Sequence, residues 1–352
     1  MNQLEAHFER VRQSFPDSLS PLVEALVLGG GYGRGEGGVG GTDEEPCLFN
    51  DLDYFLFTDA HNDARIYEWI QEVEREESAK LGIDVEITCV APGDRHSVST
   101  SMMFHDLAVG HYVVIGPEDY FAKFMQGVDA AQIVPDEAIR LLWNRGTGLF
   151  YARERLSCGQ DAAFVQRNHM KASLALGDAI LCFNGHHNAF CQKRRELLPQ
   201  EEDSLIDEEI LSLHAEGVAF KLRPILEDKS PAEMEQDNTR LRQLWMRVYL
   251  ELESRRLGVT FTTPGQYASY HAKLYPGAST LRTLLLALRD RLKRGGFLRP
   301  INDYPRGALM RALVLLNEES PDWQRISHHL PQSVGTLSRA RETYEPWWVH
   351  YS

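Results

Sequence analysis

Two aspartates behind a glycine-rich turn carry the clearest chemical signal in this sequence. Nine of the chain's 27 glycines lie between Gly29 and Gly41, and Asp51-Leu52-Asp53 opens the next apolar run. Glycine lets backbone N–H groups approach phosphate oxygens, because no Cβ intervenes. Alternate residues of a strand share a face, so Asp51 and Asp53 can bind one cation while the leucine between them faces the core. The segment predicts a site for a metal-bound polyphosphate.

A second segment with acids in strand-like alternation follows further along the chain. Residues 83–90 alternate apolar and polar side chains, with Asp84 and Glu86 on the polar face. In-line phosphoryl transfer with two metal ions needs three carboxylates that converge on one pair of cations. Either acid could supply the third carboxylate. The structural alternative is a half-exposed sheet edge, which shows the same alternation.

The glycines also match the dinucleotide-binding pattern G-x-G-x-x-G, from Gly33 to Gly38. That pattern requires a helix to begin at the last glycine, with its N-terminus on the pyrophosphate. The following residues, Val39 to Pro46, cannot form such a helix, and the chain contains no G-x-x-x-x-G-K-[ST] loop. A dehydrogenase-type site is therefore not favoured.

The same motifs resemble the polymerase-β-type nucleotidyltransferase superfamily. The run Gly30-Gly31-Tyr32-Gly33-Arg34-Gly35-Glu36 is similar to the catalytic segment of PII uridylyltransferases and glutamine-synthetase adenylyltransferases, and the Asp51-Leu52-Asp53 strand and Glu86 follow in the superfamily's order. The resemblance covers residues 20–120. It favours Glu86 over Asp84 as the third acid, because the strand then ends at a spacing closer to the family's.

The resemblance implies a role for each site residue. Asp51 and Asp53 would hold the metal ion that accompanies the β- and γ-phosphates, and Asp53 and Glu86 would complete a second metal site. Gly30, Gly31 and Arg34 would contact the nucleotide. The implied cofactor is Mg2+ or Mn2+, with a nucleoside triphosphate, ATP favoured, as co-substrate. For Arg34 the alternative is a solvated loop arginine.

The implied reaction moves a nucleoside monophosphate to a hydroxyl group of a small molecule or a protein. Two departures limit the comparison: the gap between Gly31 and Asp51 is longer than usual, and the chain lacks room for the regulatory domains of the nitrogen-sensing enzymes. The competing hypothesis is a catalytically inactive nucleotide-binding or interaction protein of the same fold.

The surrounding sequence predicts an α+β fold with two domains. Helix and strand signals alternate over the first part of the chain, and long apolar-periodic segments follow without a clear strand after residue 120. We expect a nucleotidyltransferase-type catalytic domain over 1–125 and a helical substrate-binding domain over 126–352. Residues 37–41 are expected to be a flexible extension of the glycine turn.

Several residues of the predicted helical domain are weaker candidates. Lys171 could contact phosphate, and Asp178, seven residues later on the same helix face, could act as a base. The favoured interpretation of both is that they are ordinary surface or interhelical polar residues. Gly146 and Gly148, inside a helical pattern, are expected to allow close packing on the catalytic sheet.

Histidines and cysteines also suggest a metal site. Cys182, His186, His187 and Cys191 allow a zinc interpretation, although structural zinc sites usually contain paired Cys elements. His105 and His111 are expected to be satisfied polar residues rather than ligands.

The basic residues between Arg289 and Arg306 form either a solvated helix end or a site for an anionic substrate or partner. The net charge of −14 argues against a broad nucleic-acid-binding surface. A charged N-terminus, the absence of long apolar runs and five scattered cysteines favour a cytoplasmic protein with no membrane association. The sequence does not predict an oligomeric state.

Overall fold

The computed structural model describes residues 3–41, 46–122 and 128–351, and the chain divides into two compact units. The first unit comprises Met1–Glu137, Asn184–Glu201 and Val218–Ile225, and the second comprises Ala138–Phe183, Glu202–Gly217 and Leu226–Ser352. The units are interleaved along the chain, whereas the predicted domains 1–125 and 126–352 are consecutive. That functional division stays a prediction.

The strands lie in the first unit. In chain order they are β1 (Ala25–Leu28), β2 (Val39–Gly41), β3 (Pro46–Leu48), β4 (Leu52–Phe57), β5 (Val85–Val90) and β6 (Tyr112–Ile115). Four of them form a mixed sheet in the order β5-β4-β1-β6, in which β4 and β5 are parallel and β1 is antiparallel to both of its neighbours. The expected mixture of strands and helices is confirmed.

Helices account for most of the remaining described chain. They are α1 (Gln3–Ser14), α2 (Gly30–Gly33), α3 (Ala64–Leu81), α4 (Met102–Val109), α5 (Pro135–Ser157), α6 (Ala162–Phe183), α7 (Cys191–Leu197), α8 (Glu208–Leu222), α9 (Pro231–Leu257), α10 (Pro264–Ala268), α11 (Thr280–Arg294), α12 (Pro305–Leu316), α13 (Trp323–His329) and α14 (Leu337–Tyr351). The prediction that no strand follows residue 120 is confirmed for the described residues.

The crossover through α3 places β5 beside β4. Asp63 caps the start of α3 by accepting a hydrogen bond from the Arg65 backbone N–H, and Gly82 ends it in the left-handed conformation. Parallel strands need such a crossover, because a tight hairpin can join only antiparallel strands. The local capping signals around α3 therefore help to fix the orientation of the two acid-bearing strands.

The two faces of the sheet are buried in different cores. Residues of α1 and α3, including Val11 and Ile66, pack with Leu52 and Tyr54 on one face. The other face packs against α4 through Phe104 and Leu107. Strand alternation then places the acids of β4 and β5 on the α4 side.

The glycine-rich extension is not the flexible segment that the sequence suggests. Val39–Gly41 pairs antiparallel with Pro46–Leu48, so that Val39 lies opposite Leu48 and Gly40 lies opposite Cys47. Residues 42–45, between these strands, lie outside the described residues. The prediction was wrong because the glycine run lacks the side-chain alternation from which a strand is recognised.

The second unit is built from helices, and its two early glycines serve helix packing. A Cβ at Gly146 would lie 2.3 Å from the Trp245 ring, and one at Gly148 would lie 2.3 Å from the Asn168 side chain. Both contacts are within this unit, so the expectation that these glycines pack on the catalytic sheet was wrong. Glycine here lets the indole of α9 approach the backbone of α5.

Candidate functional site

The parallel pairing of β4 and β5 sets the central acids side by side. Asp53 is the register partner of Glu86, and neighbouring strands are about 4.8 Å apart. The two side chains point to the same face, because Leu52 and Val85, their preceding neighbours, are buried on the opposite side. Asp51 directly precedes β4 and lies two residues before Asp53, so continued strand alternation would place its side chain on the same face. Asp53 and Glu86 therefore share one face of the sheet, at the N-terminal ends of β4 and β5, and Asp51 lies directly before β4 at the same end.

The register distinguishes between the two candidates for the third acid. Asp84 precedes β5, and its backbone carbonyl accepts the Leu52 N–H at 2.9 Å, whereas Glu86 lies opposite Asp53. Burial raises the pKa of Glu86, and neighbouring negative charges, first that of Asp51, raise it further. The strand register therefore favours Glu86 as the neighbour of Asp53.

The glycine turn lies against the Asp53 carboxylate. The Gly29 N–H donates to the Asp53 carbonyl at 2.8 Å, and Gly30 adopts a φ of +60°. A Cβ at Gly30 would lie 2.5 Å from Asp53 Oδ2. Glycine is therefore favoured at this position by its backbone conformation, and a side chain here would displace the Asp53 carboxylate, so the backbone from Gly30 to Gly31 lies directly beside a predicted metal ligand.

Tyr32 fixes the shape of the turn. Its hydroxyl donates to the Gly38 carbonyl at 2.6 Å and accepts the backbone N–H of Phe49 at 2.9 Å. The same hydroxyl therefore links Gly38, at the end of the turn, to Phe49, in the segment that leads into β4.

Arg34 is largely buried, not a solvated loop residue. Its side chain is 9% exposed, and its Nη1 lies 3.7 Å from Asp106 Oδ2. The side chain passes over Gly110, where a Cβ would lie 2.3 Å from Arg34 Cγ. A phosphate-binding role for Arg34 stays a prediction, and its observed partner is the α4 carboxylate.

Glu36 anchors the far side of the turn. It is buried, and its Oε2 accepts the Cys191 backbone N–H at 2.9 Å, at the start of α7. The buried carboxylate therefore links the glycine turn to the segment 184–201, which returns to the first unit.

The described residues bring together a second cluster, which the sequence did not suggest as a set. His187 Nε2 lies 2.7 Å from Asp106 Oδ1, and His105 Nδ1 lies 3.5 Å from the same oxygen. Burial alone would raise the pKa of Asp106, but the neighbouring His105 and His187 and the Arg34 guanidinium hold it below its usual range. Asp106 is therefore an ionised carboxylate between two imidazoles.

This cluster is the group of three potential metal ligands that the described residues place within 4.8 Å of one another. Among the described residues, the oxygens of Asp51, Asp53 and Glu86 do not form such a group. No sequence signal could have joined His187 to Asp106, because 81 positions separate them.

The zinc set predicted from sequence is not assembled as a whole. His187 joins the α4 cluster, whereas His186 is exposed and pairs with Glu201 at 2.6 Å. Cys191 is buried, and burial raises the pKa of its thiol. Cys182 belongs to the second unit. His105 also departs from its predicted role as a satisfied polar residue, because its Nδ1 makes no hydrogen bond within the described chain.

The candidates on α6 lie in the second unit. Lys171 is exposed, and its nucleotide-binding role stays a prediction. Asp178 is buried and lies 2.8 Å from His214 Nε2. Of the two interpretations of Asp178, the structure favours the interhelical polar pair.

The basic cluster is partly engaged by α14. Arg289 donates to the Tyr351 hydroxyl at 3.3 Å, and Arg306 donates to the Tyr351 carbonyl at 2.7 Å. These contacts explain part of the cluster as a means of packing the last helix.

Comparison with known proteins finds no matching family model and no significantly similar curated sequence. Within the described ranges, no helix is both long enough and apolar enough to cross a bilayer.

Proposed function

We propose that this chain is a Mg2+-dependent nucleotidyltransferase, which moves a nucleoside monophosphate from a nucleoside triphosphate to a hydroxyl group. The observation that carries the proposal is the parallel register that puts Asp53 beside Glu86, with the Gly30 backbone against Asp53. A strand that ends in glycines, an Asp-x-Asp strand and a third acid on the next parallel strand are the parts that the resemblance requires. The proposed catalytic part is the sheet of the first unit, with helical regions contributing to acceptor binding.

The donor set fits the proposed cation. Carboxylate oxygens are the ligands that Mg2+ prefers, and it usually binds through one or two carboxylates together with substrate phosphates. When bound, Mg2+ or Mn2+ would neutralise phosphate charge and lower the pKa of the acceptor hydroxyl. Asp51 and Asp53 would hold one ion, and Asp53 and Glu86 the other.

The remaining parts of the site would bind and orient the triphosphate. Backbone N–H groups at Gly30 and Gly31 can approach phosphate oxygens. As the acceptor oxygen bonds to the α-phosphorus and releases its proton to solvent water, the bond from the α-phosphorus to the α,β-bridging oxygen breaks, and pyrophosphate leaves with the electron pair. The net charge of −14 favours a cationic small molecule or a protein as the acceptor.

The second candidate function is nucleotide binding without transfer. The observation that favours it is that, among the described residues, Asp51, Asp53 and Glu86 do not bring three ligand atoms within 4.8 Å of one another. If the carboxylates do not converge when Mg2+ and nucleotide bind, the second metal is lost and only binding remains.

A transfer screen with α-labelled nucleoside triphosphates and Mg2+ tests the proposal. Asp51→Asn/Asp53→Asn should abolish transfer, and Glu86→Gln should reduce it by at least about 10²-fold. Asp59→Asn is the matched control, because Asp59 is an exposed acid just beyond the other end of β4. Transfer that survives the double substitution would overturn the mechanism, and nucleotide binding without transfer in the wild type would favour the inactive alternative.

A further inference from the structure

The cluster on α4 has donor atoms of the kind that bind transition metals. It offers two imidazole nitrogens and one carboxylate oxygen, all within 4.8 Å of one another. The two histidine side chains are only 8% and 2% exposed. None of these residues belongs to the proposed carboxylate site of β4 and β5.

We infer that His105, Asp106 and His187 bind one transition-metal ion, with Zn2+ favoured. Imidazole nitrogen suits Zn2+ better than Mg2+ or Ca2+, which prefer sets made entirely of oxygen ligands. Two histidines and one carboxylate also make up a known three-ligand zinc set, in which the fourth position remains open for water or substrate.

The distances agree with this assignment. Ligands about 2.05 Å from a tetrahedral ion lie roughly 3.3 Å apart. The separation between His105 Nδ1 and Asp106 Oδ1 is 3.5 Å, and that between His187 Nε2 and the same oxygen is 2.7 Å. A small rotation of the His187 side chain would therefore break its hydrogen bond to Asp106 and allow both residues to bind the same ion.

A second observation concerns the hydrogen bonding of His105. His105 Nδ1 is fully buried and makes no hydrogen bond to any residue in the described ranges. Its contact with Asp106 Oδ1 is long, at 3.5 Å, so the desolvation cost of the buried nitrogen is poorly compensated, and coordination would remove that cost. The atom lies on the side of the ring that faces Asp106.

Arg34 occupies the outer shell of the site. It approaches Oδ2 of Asp106, whereas both histidines approach Oδ1, so the carboxylate divides its two oxygens between the guanidinium and the proposed ion. Ligating carboxylates commonly make such outer contacts, which orient them. The positive charge of Arg34 opposes a dication, so we expect it to weaken metal binding.

The proposed ion would join two distant parts of the chain. His105 and Asp106 lie on α4, and His187 lies in the segment 184–201, which Glu36 also holds through Cys191. Metal binding should therefore raise the melting temperature of the protein, since an ion that binds only the folded state stabilises it.

Equilibrium dialysis of chelator-treated full-length protein against Zn2+ tests the inference. The wild type should bind one Zn2+ per chain, and His105→Gln and His187→Gln should each weaken binding at least about 10-fold. His186→Gln is the matched control, because this adjacent histidine is exposed and pairs with Glu201. Absence of stoichiometric binding in the folded wild type, or unchanged affinity in both test variants, would overturn the inference.

Substitution with Co2+ gives a measurement that does not depend on any variant. Binding at a site with nitrogen and oxygen ligands should produce visible ligand-field absorption that excess Zn2+ removes. A thiolate-to-cobalt charge-transfer band would instead assign the metal to cysteines and overturn the proposed ligand set. Asp51→Asn/Asp53→Asn should leave both measurements unchanged, which separates this inference from the proposed transferase activity.

Discussion

Replacing Gly30 with alanine tests the contact between the glycine turn and Asp53. Gly30 has a φ of +60°, a conformation that costs an L-residue roughly 1–2 kcal/mol. The new Cβ would also lie 2.5 Å from Asp53 Oδ2. Because the obstructing atom is the end of a side chain, we expect the Asp53 carboxylate to rotate away and the fold to survive.

Gly35→Ala is the matched control for this substitution. Gly35 lies in the same turn with a φ of +73°, and among the described residues its Cβ would meet nothing within 4 Å. Both variants should lose about 1–2 kcal/mol in the free energy of unfolding, measured by urea denaturation. Only Gly30→Ala displaces the carboxylate, so the rate of the proposed nucleotidyl transfer should be at least about 10-fold lower in this variant than in Gly35→Ala.

Two results would refute this reasoning. Equal transfer rates in the two alanine variants would show that the position of Asp53 does not limit the reaction. An additional stability loss of more than about 2 kcal/mol in Gly30→Ala would show that Asp53 cannot rotate. Binding of Mn2+, followed by electron paramagnetic resonance, repeats the comparison without an acceptor and should show weaker binding in Gly30→Ala alone.

Three further predictions concern stability. Glu36→Ala should lower the free energy of unfolding by about 1–3 kcal/mol, because it leaves the buried Cys191 N–H without its acceptor. Glu36→Gln should retain most of that free energy. Equal losses for the two variants in urea denaturation would contradict a stabilising role for the hydrogen bond. Burial alone would raise the pKa of Glu77, but Arg10, His7 and Lys80 lower it to about 2. The Glu77 carboxylate therefore stabilises the fold above its ordinary pKa, and this stabilisation is lost as the pH falls from there towards about 2. The urea midpoint of the wild type should fall over this pH range. Glu77→Gln should weaken that pH dependence. Leu313→Ala should lower the free energy of unfolding by about 2–5 kcal/mol, whereas Leu292→Ala should lower it by less than about 0.5 kcal/mol, because the two side chains are 0% and 79% exposed. Comparable changes in melting temperature for the two variants would contradict the argument from burial.

Much of the local structure follows from the sequence alone. The periodicity of residues 64–80 predicts a helix, and the structure has Ala64–Leu81. The alternation of residues 83–90 predicts a strand, and the structure has Val85–Val90. These predictions succeed because each pattern is repeated over several residues and reflects which side chains are buried.

The missed elements lack such a pattern. Gly40 and Gly41 have no side chains whose alternation could reveal β2, so its pairing with β3 was not predicted. The eight-residue helix Met102–Val109 is too short for its periodicity to stand out, and it carries His105 and Asp106. The second cluster was missed for that reason and because its third member is remote in sequence.

The sequence by itself determined the kinds of groups at the predicted nucleotide site, their order and the faces on which they lie. Glycine conformations and strand alternation are local properties, so Gly30, Asp51 and Asp53 could be assigned without a structure. Only the tertiary structure decided that Glu86 rather than Asp84 lies opposite Asp53, since register is a property of two paired strands. It also decided that His187 meets Asp106, because chain folding, not sequence spacing, brings residues 81 positions apart within 2.7 Å of each other.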